Sequence, residues 1–307
     1  VDEEGVRDAA RKLIEMGAEV IDVCFLNSHS NSSNEQRAKE VVLKQFPNVS
    51  VITSSEVVSE IGEYERFSTT VVNAYLAPII SKYLFSMEDS LKEGGMATDL
   101  MVMQSNGGTV LARMAAFKSA MMIESGPAAG VIAAAYVGMQ AGYKDVISLD
   151  MGGTTAKVGL VQNGTPALTQ EYYVGGIIHG VRGKGYPIKA PAIDLVEIGA
   201  GGGSIAWIDE GGGLHVGPRS AGAEPGPASY GKGGKEPTIT DAHVVLGTLD
   251  PDRFLGGNLR LYPELAKDAV NKIAKAYNLS IEETASGILT IANTNMVHAI
   301  RAVTIER

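Results

Sequence analysis

The sequence predicts a mixed α/β protein, and three observations carry that expectation. Helical and extended apolar patterns alternate at the start. Val6, Ala10, Leu13 and Ile14 have helical spacing over 3–16, residues 20–26 read as a strand, 35–45 as a helix and 49–53 as another strand. Such β-α alternation builds a sheet covered by helices. Residues 146–161 read as two apolar runs around a Gly-Gly pair, which is a hairpin signal. Residues 261–277 and 280–305 then carry apolar positions at helical spacing.

Composition narrows the class. The chain has 307 residues, long enough for two domains, and is 45% apolar and 20% charged, the balance of a globular protein. A formal charge of -9 would repel nucleic-acid phosphates, so no nucleic-acid partner is expected. Cys24 is the single cysteine, which excludes an internal disulfide and fits a reducing, cytoplasmic setting. Lying in an apolar run, it reads as a small core residue. No apolar run has membrane-spanning length, and the start shows no secretory signal. A start at Val1 and a stop at Arg307, directly after a helical segment, are expected of a piece of a longer protein.

Between the first strands, 27–34 is a polar loop in which Asn34 is placed to cap the next helix, and His29 reads as an exposed loop histidine. Residues 69–92 read as a long helix, kinked at Pro78 and ended by Gly94 and Gly95. Residues 100–103 are a strand running into the turn at 104–109. The segment from Glu124 to Gly130 leads into an Ala-rich helix over 128–139. Ser125 or Gly126 is its cap candidate, with Pro127 near the first turn. Residues 168–174 read as a third strand after the hairpin. The irregular stretch 175–191 carries Arg182, Lys184 and Lys189, cations that suit an anionic substrate or plain solvation.

Four glycines fall within 199–203, where backbone can approach a ligand or another backbone. Residues 217–235 are dense in Gly, Pro, Ala and Ser. With Arg219, Glu224 and Tyr230 among prolines, they read as an ordered loop. Asp241 and His243 lie two apart, on different helix faces, so they make no metal pair. Ser280 and Glu283 match a capping box.

The hairpin carries the chemistry. Residues 146–149 and 158–161 read as buried strands, and between them stand Asp150, Gly152, Gly153, Thr154 and Thr155. Gly152 and Gly153 can take backbone angles closed to other residues, which lets their N–H groups approach a ligand. Such a turn, flanked by hydroxyls, is an anion-binding concavity. A carboxylate beside a phosphate needs a cation between them, so Asp150 points to hydrated Mg²⁺. The pattern is not a P-loop, because the Lys-Ser/Thr ending is missing.

The turn resembles the phosphate loop of the actin-like ATPase superfamily. More widely, the chain resembles the hydantoinase A and 5-oxoprolinase family. The matching phrases are Glu63-Tyr-Glu-Arg66, Val72-Asn-Ala-Tyr75, Met103-Gln-Ser-Asn-Gly-Gly108, Ser125-Gly-Pro-Ala-Ala-Gly130, Asp150-Met-Gly-Gly-Thr-Thr155, Gly199-Ala-Gly-Gly-Gly-Ser-Ile-Ala-Trp207, Ala221-Gly-Ala-Glu-Pro-Gly-Pro227 and Leu249-Asp-Pro-Asp-Arg-Phe-Leu-Gly-Gly257.

The resemblance implies an incomplete actin-like ATPase (ribonuclease-H-like) α/β fold. Residues 1–62 would close an N-terminal domain and 63–307 would form most of the next. It implies ATP and Mg²⁺ as cofactors, with Asp150 as catalytic and metal residue. Gly152, Gly153, Thr154, Thr155, Gly201, Gly202 and Gly203 would bind the nucleotide. It implies an ATP-dependent hydrolase of cyclic amides that phosphorylates the substrate carbonyl oxygen. A ketone carboxylase subunit and a non-catalytic actin-like module are the other readings. A hydantoinase B-type partner subunit, an oligomeric state and no membrane contact are expected.

Two departures matter. The family's earlier Asp-x-Gly-Gly-Thr loop and its later glycine loop are absent from the sequence, so about half an ATP cleft is expected here. Lys157 stands where many relatives have Asp, and either meets phosphate or points outward.

Overall fold

The computed structural model describes residues 1–175 and 185–305. Arg182 and Lys184 lie outside the described residues. The chain forms two compact units, one of residues 1–132 with 168–193 and one of residues 133–167 with 194–307.

In the first unit, strands β1 (Val20–Val23) and β2 (Ser50–Thr53) pair in parallel, with Ile21 opposite Val51. Alternation along the strands sends Ile21, Val23 and Val51 to one face. There they pack with Ala10 of helix α1 (Glu3–Glu15) and Ala38 and Val42 of α2 (Ser33–Gln45). Asp2 caps α1 by accepting the Gly5 N–H at 3.1 Å. The cap position of α2 is Ser32 rather than Asn34, and it makes no side-chain cap bond.

The other sheet face meets α3 (Ser54–Val57) and α4 (Glu63–Glu93), with Ile52, Val57, Val58, Ala74 and Ala77 in contact. Helix α4 starts six residues before the expected 69. The buried side of its first turns is polar, with Arg66, Thr69, Thr70 and Asn73 all fully buried. Arg66 donates to Ser54 Oγ (3.1 Å), Glu60 O (3.1 Å) and Phe25 O (2.9 Å), and pairs with Glu63. The equally buried Glu35 carboxylate accepts from Phe25 N, Ser54 Oγ and Ser55 N at 2.8, 2.6 and 2.9 Å. This polar network adds to that apolar contact in tying the ends of β1 and β2 to α4.

Cys24 is half-buried, and burial pushes its thiol up to about 12, which leaves it inert at neutral pH. His29 is half-buried with Nδ1 enclosed, not exposed as expected.

Strands β3 (Met101–Met103) and β4 (Thr109–Leu111) form a hairpin ahead of α5 (Ala112–Phe117), and α6 (Ser125–Gln140) follows. Helix α6 begins three residues before the expected 128, so the position before it is Glu124, not Ser125 or Gly126.

Strand β5 (Val146–Met151) pairs antiparallel with β6 (Ala156–Gln162), and β7 (Thr165–Pro166) adds to β6. Residues 168–174, expected as one strand beside that hairpin, instead form β8 (Leu168–Thr169) and β9 (Tyr172–Val174) in the first unit. The break is a local turn in which Thr169 Oγ1 bonds Glu171 O at 2.8 Å. There β9 pairs with β10 (Tyr186–Ile188) and β8 with β11 (Ala192–Ile193). Lys189 bonds the Ile61 carbonyl, so this cation is tied into the first unit.

In the second unit, β12 (Leu195–Ile198) completes the sheet order β12-β6-β5. Val158 of β6 packs with Ala299 and Val303 of α9 (Ile281–Thr304). Val158 and Val161 are fully buried, as expected of a central strand. The other strand departs from expectation. In β5, the alternate residues Ile147, Leu149 and Met151 are 44%, 45% and 36% exposed, and among the described residues β5 lies at the end of the sheet.

A second core joins the hairpin of β13 (Ser204–Ile208) and β14 (Leu214–Ser220) to α7 (Ile239–Val245), α8 (Pro263–Tyr277) and α9. It contains Ala206, Val216, Ile239, Ala242, Val270, Ile273 and Ile288. The Ser280–Glu283 capping box forms as expected. Among the described residues no helix is long and apolar enough to cross a membrane.

Candidate functional site

The site lies in the second unit, at the β5–β6 turn. Register runs from Val146 opposite Val161 to Met151 opposite Ala156, which leaves 152–155 as a four-residue turn. Gly152 N–H donates to Thr155 O at 2.9 Å and closes it. Asp150, Gly152, Gly153 and Thr154 are exposed and Thr155 is half-buried. The N–H groups of Gly153 and Thr154 have no acceptor among the described residues.

One expectation about this turn is corrected. Neither Gly152 nor Gly153 is in the left-handed region. A Cβ on Gly152 would meet only Thr155 O, at 3.6 Å, and one on Gly153 would meet nothing within 4 Å. Folding therefore does not require glycine at 153. A ligand brought close to the backbone would.

The glycine loop after β12 supports this turn from beneath. Gly202 N–H donates to Gly152 O at 3.0 Å and Gly203 N–H to Gly153 O at 2.6 Å. A Cβ on Gly201 would lie 2.6 Å from Gly153 C and Thr154 N, so only glycine fits there. Of the two openings left by the sequence, the structure shows backbone against backbone. Gly201 N–H goes to Ser204 Oγ at 2.8 Å, so all three N–H groups are committed to protein acceptors. Gly201, Gly202 and Gly203 thus shape the turn.

This support is anchored in turn. Thr240 N and Oγ1 both donate to Gly202 O, at 2.8 and 2.9 Å. Its neighbour Asp241, considered in the sequence only for a metal pair with His243, has a structural role instead. Asp241 is fully buried and accepts from Ala228 N (3.2 Å), Ser229 N (2.8 Å), Thr238 N (3.0 Å) and Thr238 Oγ1 (2.8 Å). It caps α7 and pins the loop 217–235, which is ordered as expected. The signal was present as Thr238 three residues before Asp241, a capping box with aspartate in the glutamate position. His243 bonds Thr248 Oγ1 at 2.7 Å, and burial lowers its pKa.

Lys157 lies opposite Asp150 across the hairpin. Its Nζ donates to Thr155 Oγ1 at 2.8 Å and pairs with Glu197 at 3.0 Å, so it does not point outward. Among the described residues no three His, Cys, Asp or Glu side chains gather as a metal cage. Mg²⁺ usually takes one or two carboxylates and completes its shell with water and phosphate. Asp150 offers one such carboxylate.

Near the glycine loop, a cavity of about 410 Å³ is lined by Gly199, Ala200, Trp207, His215, Asn295 and His298, among others. Trp207 stacks on His215 at 4.9 Å and donates to Gly217 O at 2.8 Å.

The sheet hairpin thus ends in a carboxylate and a glycine-threonine turn, buttressed by a second glycine loop. Residues 66–307 match the hydantoinase/oxoprolinase family model, and the chain belongs to that family. It is 40% identical over its whole length to caprolactamase subunit alpha of Pseudomonas jessenii, covering 43% of that subunit. The crystal structure of that ATP-dependent caprolactamase superposes with a TM-score of 0.75 over 99% of this chain. Nucleotide-free acetone carboxylase superposes with a TM-score of 0.81 at 32% identity, covering 98% of this chain and 42% of that one. The 5-oxoprolinase of Saccharomyces cerevisiae is 36% identical over 99% of this chain, which spans 23% of it. The chain thus spans less than half the length of these relatives. It shares the mixed α/β fold of these two solved ATP-dependent enzymes over under half of their length.

Proposed function

We propose that the protein carries part of the ATP site of a cyclic-amide hydrolase of the hydantoin or 5-oxoproline type. The observation behind this reading is the turn at 152–155. It is exposed, preceded by Asp150, has two N–H groups without protein acceptors, and has a glycine at 153 that folding does not require. The 40% identity to caprolactamase subunit alpha favours an amide substrate.

In this reading Mg-ATP supplies the phosphoryl group that activates the substrate's carbonyl oxygen. Asp150 holds the cation through its hydration shell. Gly152 keeps the turn closed, and Gly153 and Thr154 donate N–H groups to phosphate oxygens, with the Thr154 hydroxyl as a further donor. Thr155 Oγ1 accepts from Lys157, which pairs with Glu197. Preformed donors of this kind stabilise developing charge without reorganisation. Gly201, Gly202 and Gly203 act through the turn that they support.

The domain boundary falls between 62 and 63, which the start of the family match at 66 supports. A hydantoinase B-type subunit is the partner, because the caprolactamase relative is named as an alpha subunit. We place the protein in the cytoplasm, as an oligomer. The acetone carboxylase superposition favours a second reading, a subunit that phosphorylates a ketone.

The deciding experiment is ATP turnover by the full-length protein with 5-oxoproline, hydantoins, caprolactam and acetone in turn. Turnover that depends on a cyclic amide is expected. Turnover stimulated by acetone alone would replace this reading with the carboxylase one.

A further inference from the structure

Lys157 stands where strand chemistry favours an apolar or β-branched residue. It lies in β6, the middle strand of β12-β6-β5, and its side chain is only 16% exposed. Register places Asp150 of β5 on one side of it and Glu197 of β12 on the other. Residues directly opposite in antiparallel strands share a face, so the three form one cross-strand row. The next residue of β6, Val158, turns to the other face and packs on α9. The row therefore lies on the face away from α9, with one residue pair between it and the turn at 152–155.

A charged group in such a place has to be paired. Lys157 Nζ pairs with Glu197 Oε1 at 3.0 Å and donates to Thr155 Oγ1 at 2.8 Å. The second contact follows from spacing, since residues two apart along extended backbone lie on one side. An ammonium between two carboxylates leaves the row with a net negative charge, so the row does not recruit phosphate by charge. What it supplies is direction. A hydroxyl has one O–H to donate and two lone pairs that accept. Lys157 fills one lone pair of Thr155, and among the described residues the Thr155 O–H meets no protein acceptor. The Thr155 backbone is held as well, because its carbonyl accepts the Gly152 N–H at 2.9 Å and closes the turn. Side chain and backbone are thus fixed before a ligand arrives, with the hydroxyl proton left to donate.

We infer that Lys157 is a positioning residue of the ATP site: held by Glu197, it fixes the Thr155 hydroxyl as a donor to a phosphate oxygen of the nucleotide. This inference rests on the phosphate-turn reading above. Lys157 acts through Thr155, and Glu197 acts through Lys157. A donor oriented in advance costs no reorganisation when the phosphate binds.

The test is a double-mutant cycle in the full-length protein, with Mg-ATP affinity read by calorimetry and folding by thermal unfolding. Thr155→Val keeps the shape, removes the hydroxyl and should weaken Mg-ATP binding by about tenfold. Thr155→Ser keeps the hydroxyl and should bind within about twofold of wild type. Lys157→Met should weaken binding by about fivefold or more with Thr at 155, and by less than about twofold with Val there. Glu197→Ala changes a partly exposed side chain and should show the same dependence on residue 155, which keeps the test open if Lys157→Met does not fold. A lysine that only stabilises the sheet lowers the thermal midpoint and weakens binding equally in both backgrounds. Equal losses with Thr and Val at 155 therefore overturn the inference. So does wild-type affinity in Thr155→Val alongside lost turnover in Asp150→Asn, a result that leaves the phosphate-turn reading standing. Wild-type affinity and turnover in both Thr155→Val and Asp150→Asn would overturn that reading and this inference with it.

Discussion

Two glycines that look alike in sequence do different jobs. A methyl at Gly201 would sit 2.6 Å from the backbone of Gly153 and Thr154. Gly201→Ala should therefore cost about 1–3 kcal/mol of stability and displace the turn, read by denaturant unfolding. A methyl at Gly153 meets nothing within 4 Å. Gly153→Ala should keep its stability within about 0.5 kcal/mol yet weaken Mg-ATP binding, because only the ligand would feel the methyl. Equal ATP affinity in Gly153→Ala and wild type would contradict a close backbone contact.

Asp22 gives a pH prediction. Burial pushes its carboxyl up to about 7, and among the described residues Oδ1 has no hydrogen-bond partner. The folded state thus holds this proton where the unfolded chain has lost it. The stabilisation is present below the ordinary aspartate range and is lost as pH rises through about 7. Asp22→Asn should raise the thermal midpoint relative to wild type more at pH 8 than at pH 4. A constant difference across that range would show that Asp22 does not titrate this way.

At this scale the turn itself was legible, because Asp150 and the Gly-Gly-Thr-Thr run are adjacent in sequence. The anchoring role of Asp241 was not, because two of its four bonds depend on where 228 and 229 come to rest.

At the scale of elements, hydrophobic period found most helices and strands but not their neighbours. Residues 146–149 carry the pattern of a buried strand, and nothing local says that β5 ends its sheet. Helix α4 was placed late for a related reason. Its first buried turns are Arg66, Thr69, Thr70 and Asn73, whose partners lie on other elements, so no apolar period marks them. The edge of β5 has a measurable consequence. Ile147, Leu149 and Met151 present an apolar row beside unpaired strand backbone, a template for association. Leu149→Lys should reduce self-association of the 307-residue chain in sedimentation without lowering its thermal midpoint, since Leu149 is 45% exposed. Unchanged association would show that this edge is not the sticky surface.

At the scale of the molecule, the site's parts come from distant stretches of one unit. The turn at 152–155 rests on 201–203, which hang from Thr240 beside the buried Asp241. Sequence reasoning found both glycine loops but not their contact, because their closeness is a property of the folded second unit. The match to the hydantoinase/oxoprolinase family holds over 66–307 and is the context in which the ATP role of this arrangement is proposed. The most direct measurement of the central claim is Mg-ATP turnover by the full-length protein with its best acceptor, comparing wild type with Asp150→Asn. The account predicts a loss on the order of 100-fold or more with an unchanged thermal midpoint, because an exposed charge is removed from a turn and no packing is lost. Turnover equal to wild type in Asp150→Asn would contradict the assignment of this turn to the phosphates of ATP.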